Sequence, residues 1–390
     1  MVKIAVIASH PIQYYAPWFK YITQTTLLNI RVFYLWDFGV TNRIDPGFQK
    51  SLKWDIPLLE GYDYEFVVNS SSNPGTHSFW GLQNPTLYQQ VRYYQPDAVL
   101  LMNYNYDSIY QFLWMWKSQK IPLLFRGDSH RLFVHHSPKE WLRKLWITFI
   151  YENFSAFLYV GKANYEYFRY HRVPSEKLFF SPHAIDNDRF LQTASLASQD
   201  ANEWKKELGI PRDTQVIIFV GKFEVKKRPI DLLQAFLRAK LVNVSLLFVG
   251  SGSLESELKE RAKDNKYIFF APFQNQSQMP RTYQIADLIV LPSYGSGETW
   301  GLVINEAMCM ACPVVVSSHV GCAQDLVYPY QNGLIFPAGD VSALSCALQD
   351  AFADQDRLKI WGEASRKIIN NYSYKQATQG LLEALESLRI

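Results

Sequence analysis

Two carboxylates, Glu298 and Glu306, stand eight positions apart in the run Gly297-Glu298-Thr299-Trp300-Gly301-Leu302-Val303-Ile304-Asn305-Glu306-Ala307-Met308. An apolar run, Leu288 to Leu291, and a Pro292-Ser293 turn precede them. This reads as a strand, a loop and a helix beginning near Trp300, with Glu298 in the loop and Glu306 about two turns along the helix. The free amides of Gly301, Leu302 and Val303 then point out of the helix end, where the backbone dipole favours an anion. A diphosphate suits that end, and the two acids are left to hold hydroxyl groups on either side of it.

Cations occur at a matching place. Phe219-Val220-Gly221-Lys222-Phe223-Glu224-Val225-Lys226-Lys227-Arg228 is a strand end followed by clustered positive charge. Lys222 and Lys227 there could neutralise a leaving diphosphate, and a solvated basic loop is the plainer alternative. Phe248-Val249-Gly250-Ser251-Gly252 is a strand with a Gly-x-Gly turn, lacking the third glycine of the dinucleotide fingerprint. On the other half of the chain, Ile121 to Phe125 runs as a strand into the polar loop Arg126-Gly127-Asp128-Ser129-His130. Asp128 and His130 are the candidate catalytic groups, with Arg126 as a partner that would keep Asp128 ionised. Asp128 as the cap of a following helix is the competing reading.

These residues need strand ends that face one another. Short β-branched runs at Lys3 to Ala8, Asn29 to Leu35, Ala98 to Met102, Leu123 to Phe125 and Phe157 to Val160 alternate with helical patterns. A second series follows at Gln215 to Val220, Ser245 to Val249, Tyr267 to Phe270, Leu288 to Leu291 and Pro313 to Ser317. Each series is the rhythm of a doubly wound parallel sheet, so the class is α/β with two Rossmann-like domains. The expected division is residues 1–190, then 201–365, then a helical tail over 366–390 that folds back toward the first domain. Leu191 to Asp200, small and polar, is expected to be the linker. Two such sheets facing each other leave a cleft at their strand C-termini, where open α/β sheets bind ligands.

Composition excludes other classes. With 390 residues, 19% of them charged and a net charge of +3, the chain carries no basic run that would suit nucleic acid. The apolar start is too short for a signal peptide and the longest apolar stretches too short for a bilayer, so a cytoplasmic protein is expected. Cys309, Cys312, Cys322 and Cys346 read as packing thiols, since no second pair completes the CxxC as a metal site. Eight of the eleven tryptophans lie in the first 150 residues. Most suit a core, while the clusters around Tyr14, Tyr15 and Trp18 and around Phe48 and Trp54 are better placed to stack on an acceptor sugar. Lys139, Arg143 and Lys144 interleave with Trp141, Leu142, Leu145 and Trp146. This is either the buried face of an amphipathic helix, which is the reading expected, or a peripheral contact with the inner face of a membrane.

The run from Ala286-Asp287 through Leu291-Pro292-Ser293, the acid pair, Glu306-Ala307-Met308 and Pro313-Val314-Val315 resembles the retaining glycosyltransferases of the GT-B fold, in particular glycosyltransferase family 4. That family's hallmark is a Glu, seven residues and a second Glu around Phe-Gly-Leu; here Trp300 replaces the Phe. The resemblance implies that Glu298 contacts the donor sugar and that Glu306 binds the ribose hydroxyls. Trp300, Gly301, Leu302 and Val303 would lie against the donor, the turn at Gly250, which the family also carries, would line the donor cleft, and Phe273 would stand near the nucleobase. Lys222 takes the place of the family's usual Arg, which exchanges a planar fork for a point charge, and Lys227 matches its Lys. Asp128 falls six residues after Pro122, where relatives commonly have a His. The first loop, Ser9-His10-Pro11-Ile12-Gln13-Tyr14-Tyr15, lacks the paired glycines of many relatives, which leaves His10, Tyr14 and Tyr15 as acceptor candidates.

The implied partners are a nucleoside diphosphate sugar as donor substrate and a glycan or lipid-linked acceptor, with no metal and no separate cofactor. Three rivals remain. Asp186-Asn187-Asp188 could hold a divalent ion in a GT-A-like enzyme, a nucleotide-sugar epimerase can use the same twin-Rossmann architecture, and a sugar-binding protein would need no diphosphate clamp.

Overall fold

A computed structural model describes all residues except Asn42, 46–49, 135, 136 and 355, and the side chains of 43–45, 50–52 and 195. Phe48, one of the candidate stacking residues, lies outside the described residues. The first half contains β1 (Lys3–Ala8), β2 (Asn29–Tyr34), the hairpin β3 (Arg43–Asp45) and β4 (Lys50–Leu52), then β5 (Asp63–Phe66), β6 (Ala98–Leu101), β7 (Leu123–Arg126), β8 (Ala156–Tyr159) and β9 (Leu178–Phe180). Its helices are α1 (Ala16–Thr25), α2 (Leu87–Tyr94), α3 (Asp107–Trp116), α4 (Pro138–Tyr151) and α5 (Lys162–Tyr170), followed by α6 (Asn187–Glu207). The second half contains β10 (Gln215–Lys222), β11 (Val244–Ser251), β12 (Ile268–Ala271), β13 (Leu288–Leu291), β14 (Val314–Ser317) and β15 (Gly333–Phe336). Its helices are α7 (Pro229–Ala239), α8 (Glu255–Ala262), α9 (Met279–Gln284), α10 (Leu302–Cys309), α11 (Ala323–Leu326), α12 (Val341–Phe352), α13 (Arg357–Ile369) and α14 (Tyr374–Ser387).

The first sheet runs β5-β2-β1-β6-β7-β8-β9 and the second β12-β11-β10-β13-β14-β15. All of these pairings are parallel. Each sheet starts in its middle, grows to one edge and then crosses to the other side, so each has a switch point beside its first strand. The strands are apolar on both faces because helices cover both. Ala5 and Ile7 pack into one core cluster while Ile4, Val6 and Ala8 pack into another, the period-two alternation of a strand between two layers. In β10, Val216, Ile218 and Val220 divide from Ile217 and Phe219 in the same way.

The stretch 191–200 is not a loose linker. It is the interior of α6, whose N-terminus is capped by Asp186 accepting from the Arg189 amide at 3.1 Å. Phe190, Ala197, Ala201 and Trp204 recur at helical spacing and are buried in the core beneath β10. Small alanines carry that stripe, so the pattern is weak by hydrophobicity and strong by burial. Asp186, offered above as part of a metal-binding triplet, is engaged as this cap. The tail returns: Tyr374, Ala377, Leu381, Ala384 and Leu385 of α14 share a core cluster with Ile4 and Val6 of β1.

Other expectations change with burial. Trp18 is a core residue, its indole N–H donating to Thr378 at 3.0 Å, and so cannot stack on a sugar. Cys309, Cys312 and Cys322 are buried, but Cys346 is exposed and is not a packing thiol. The apolar residues of α4 are also exposed, Trp141 at 61% and Trp146 at 51%, while Ile147, Ile150 and Tyr151 make its buried side. Core packing therefore does not account for them. Among the described residues no helix is long and apolar enough to cross a membrane.

Candidate active site between the domains

The C-terminal ends of β1 and β10 face one another across a cavity of about 280 Å3. His10 and Tyr14 from the first loop line one side; Lys222, Gly250, Phe273, Val303 and Glu306 line the other. With Trp54, which also lines it, eight of the residues singled out from the sequence thus meet in one cleft. Tyr15, Asp128, His130, Lys227, Glu298, Trp300, Gly301 and Leu302 do not line it.

Glu306 lies in the middle of α10 and is 1% exposed. Its Oε1 accepts from the Tyr14 hydroxyl at 3.1 Å and from Gln276 Nε2 at 3.2 Å, and its Oε2 accepts from the Tyr283 hydroxyl at 2.6 Å. Burial pushes the carboxyl pKa up, and the three donors together with Arg189 pull against that rise without cancelling it. A carboxylate offers about four lone-pair sites, so only one is left open here. Two ribose hydroxyls can be held only if one of these donors yields, and Tyr14 is the one that comes from the other domain.

Gly250 stands where β11 passes closest to β10. Its φ is +144°, and a Cβ placed on it would lie 2.0 Å from the Gly221 carbonyl oxygen. Only glycine allows this approach, which brings Val220, Gly221 and Lys222 to the cleft wall. Gly301, at φ +99°, begins α10 in the left-handed region, and a Cβ there would lie 2.8 Å from Leu291 Cδ2. The helix therefore starts two residues later than expected, with Val303 on the cavity.

Glu298 sits on the loop before α10. Lys227 and Ser293 both donate to its Oε2, Ser293 at 2.7 Å. Lys227 is thus already held beside the acid. Trp300, at 3% exposure, donates from Nε1 to Asn305 Oδ1 at 2.8 Å, and Asn305 Nδ2 donates to the His183 carbonyl at 3.1 Å. Its ring fills the space beside Gly161, where a Cβ would come within 2.5 Å of it. The aromatic at this position packs the two domains together and does not meet the cleft.

The β7 loop crosses to the same place. Asp128 Oδ2 accepts from Thr299 Oγ1 at 2.7 Å and from His183 Nε2 at 3.3 Å. Burial acts to raise the Asp128 pKa, but the His183 and Thr299 hydrogen bonds outweigh it and hold the carboxyl below its usual range. Burial also keeps His183 neutral by lowering its pKa. Asp128 caps no helix, since α4 begins at Pro138 under Ser137. Nor does Arg126 bridge to it: that guanidinium donates to the Ser181 carbonyl and hydroxyl at 2.6 Å and to the Pro182 carbonyl at 2.9 Å. His130 Nδ1 accepts from the Leu132 amide at 3.3 Å, so Nε2 carries the proton and donates to the Glu298 carbonyl at 3.1 Å. Tyr15 stacks on His183 at 6.0 Å between ring centres, behind the site.

Gln276, Tyr283, His183 and Thr299 were not singled out in the sequence. His183 had a signal, because it follows β9 as the Arg126 loop follows β7. Gln276 and Tyr283 had none, as both reach Glu306 only through the folding of the β12–α9 connection.

Two Rossmann-like domains facing across such a cleft make the GT-B fold. HepE of Anabaena, in a crystal structure with UDP and glucose, superposes with a TM-score of 0.76 at 17% identity over 99% of this chain and 100% of that one. WaaG, a glycosyltransferase involved in lipopolysaccharide biosynthesis, superposes at 0.64 with 15% identity over 97% and 99% of the two chains. Residues 200–368 match the family model described as Glycosyl transferases group 1. A D-inositol 3-phosphate glycosyltransferase of Corynebacterium urealyticum is 30% identical over 217 residues, 52% of this chain and 49% of the relative. The GDP-mannose-dependent alpha-(1-6)-phosphatidylinositol monomannoside mannosyltransferase of Mycolicibacterium smegmatis is 26% identical over 55% and 58% of the two. The chain spans about half the length of the curated relatives it matches.

Proposed function

We propose that the protein is a retaining glycosyltransferase that moves a sugar from a nucleoside diphosphate to a hydroxyl of a glycan or lipid-linked acceptor. The observations that carry this reading are the inter-domain cavity with Glu306 and Lys222 on its donor wall and the bonding of the Asp128 loop to the Glu298 loop across the two domains. Relatives named as glycosyltransferases, and a UDP complex of the same fold, support it. In this reading Glu306 holds ribose, Phe273 faces the base, and Lys222 and Lys227 with the amides at Gly301 balance the diphosphate. Glu298 and Asp128 orient the donor sugar.

The bond from the anomeric carbon to the phosphate oxygen breaks, and the bond to the acceptor oxygen forms on the same face. The acceptor proton passes to the departing diphosphate, so no protein base is needed. Charge grows on that diphosphate in the transition state, where fixed cations act most strongly. A thermal-shift panel of UDP, GDP, ADP and their sugars tests the reading, since a ligand of the native state raises its stability by mass action. One nucleotide is expected to raise Tm and the others not. No shift from any of them would sink the proposal. Turnover is expected to survive EDTA, because lysines and helix amides supply the charge.

We further infer that the outer face of α4 rests on an anionic membrane. Phe79, Tyr110, Trp146 and Phe149 form a continuous run of ring contacts on it, and Trp114 is 75% exposed beside them. Lys139, Arg143 and Lys144 lie along the same helix, which is the mix of aromatic and basic groups that suits a headgroup layer. Co-flotation with phosphatidylglycerol vesicles, lost in Trp141→Ala/Trp146→Ala, is the expected result. A dimer in solution with no flotation would assign the face to a second copy instead.

A further inference from the structure

A second cavity, of about 160 Å3, opens on the first domain between the 129–134 loop, α4 and α5, with Ser296 and Thr299 of the second domain closing its inner end. Its lining shares no residue with the donor cleft. Arg131, Arg143 and Lys144 line it, and among the described residues Glu140 is the single acid that does so. Glu140 lies 3.5 Å from Arg143. Arg131 and Lys144 converge on one ring, the guanidinium 3.5 Å and the ammonium 4.0 Å from the centre of Tyr170.

Two cations gathered on one aromatic repel each other, and one carboxylate offsets only one of the three charges. Among the described residues the histidines in the wall, His130 and His171, add none: burial lowers both, and the nearby Lys144, Arg131 and Arg143 help hold His171 at about 4. A concave site with this excess of positive charge attracts a compact anion, and guanidinium groups bind phosphate and carboxylate through paired hydrogen bonds. The site's inner wall is His130, two residues from Asp128 and bonded to the Glu298 loop. An anion held here is therefore beside the reacting end of the cleft without occupying the donor's place.

We propose that this cavity is the anion subsite of the acceptor: a phosphate or carboxylate on the acceptor binds between Arg131, Arg143 and Lys144, which directs the acceptor's hydroxyl inward past His130. This rests on the glycosyltransferase reading and narrows its acceptor to an acidic one. The anion comes either from a soluble phosphoester or from a phospholipid headgroup, and both present the same chemistry to the three cations.

The full chain labelled with 15N-arginine tests it, with the Arg131 signal assigned from Arg131→Gln. Glycerol 3-phosphate is titrated against glycerol and against sodium chloride at equal ionic strength, and phosphatidic acid is offered separately in nanodiscs. Saturable shifts of the Arg131 and Arg143 side-chain signals by glycerol 3-phosphate are expected, with none from glycerol. Arg131→Gln/Lys144→Gln should weaken the binding roughly tenfold or more, as read from the Arg143 signal. Tighter saturation by the nanodiscs assigns the anion to a lipid, and saturation by the soluble ester alone assigns it to a free acceptor.

A linear response matching that to chloride overturns the proposal, as does displacement by UDP, GDP or ADP, which would give the cavity to the donor. Nucleotide binding is measured by thermal shift on the same samples. If a nucleotide binds and the phosphoester does not, the acceptor inference fails alone. If the phosphoester saturates and no nucleotide binds, the glycosyltransferase reading fails and takes the acceptor role with it.

Discussion

Glu306 is a buried acid whose open capacity is one hydrogen bond, and that sets how it can bind a nucleotide. Its pKa is raised on folding, so its contribution to stability is fully present below the unfolded value near 4.3 and is lost as pH rises through the folded one. Ribose hydroxyls donate to the ionised form, so nucleotide affinity should strengthen as pH rises through the raised folded value. Calorimetry across a pH series tests this, and Glu306→Gln should flatten the curve. Tyr14→Phe removes the donor that competes for Oε1, and a net hydrogen bond is worth about 0.5–1.5 kcal/mol. The variant should therefore bind nucleotide about two- to tenfold more tightly; weaker binding would show that Tyr14 contacts the ligand directly. Asp128 behaves oppositely: its depressed pKa stabilises above about 3.9 and is lost as pH falls through the folded value. Asp128→Asn keeps an acceptor for Thr299, so turnover should fall strongly at neutral pH while Tm and nucleotide affinity stay nearly unchanged. The acid pair could be read from its spacing, but the donors around it could not, because Tyr14 meets Glu306 across 292 positions of sequence.

At the scale of elements, the central strands were legible because two covered faces demand unbroken β-branched runs. β5 was not, since Asp63-Tyr64-Glu65-Phe66 forms the sheet's edge and leaves half its residues exposed. α6 was missed because alanine carries its stripe; α4 was expected as an amphipathic helix, but Trp141 and Trp146, expected to be buried, face outward. The strand ends matter most to the cleft. Gly250→Ala would push a Cβ against the Gly221 carbonyl and force β10 and β11 apart at the donor wall. A cost of about 1–3 kcal/mol in urea unfolding is expected, from overpacking and the positive φ together. Nucleotide affinity should fall in the same variant, whereas Gly209→Ala, whose added Cβ meets nothing within 4 Å, should leave affinity intact.

Across the whole molecule, the domains are joined by direct hydrogen bonds. Thr299 reaches Asp128, Asn305 reaches the His183 carbonyl, and the Lys162 amide donates to Asp325 at 3.0 and 3.1 Å. The chain also crosses between them twice, through α6 and again into α14. Gly380 touches the Phe180 backbone so closely that a Cβ would lie 2.0 Å from its carbonyl oxygen. Gly380→Ala should thus lift α14 from β9, lowering Tm by several degrees, as roughly 1–3 kcal/mol does for chains of this kind, with larger losses near the first domain in hydrogen exchange. A two-domain pattern and a returning tail could be read from the sequence, but not this fit, which depends on two backbones meeting. The return of α14 has a consequence for synthesis. Ile4 and Val6 leave a ribosome well before the helix that helps cover their side of the sheet, which comes about 370 residues later. At about 5–20 residues per second, that apolar face waits on the order of half a minute or more for its cover. The first domain is therefore completed only after the strands of the second have been made, and during that wait it offers the cell's chaperones a surface that α14 later covers.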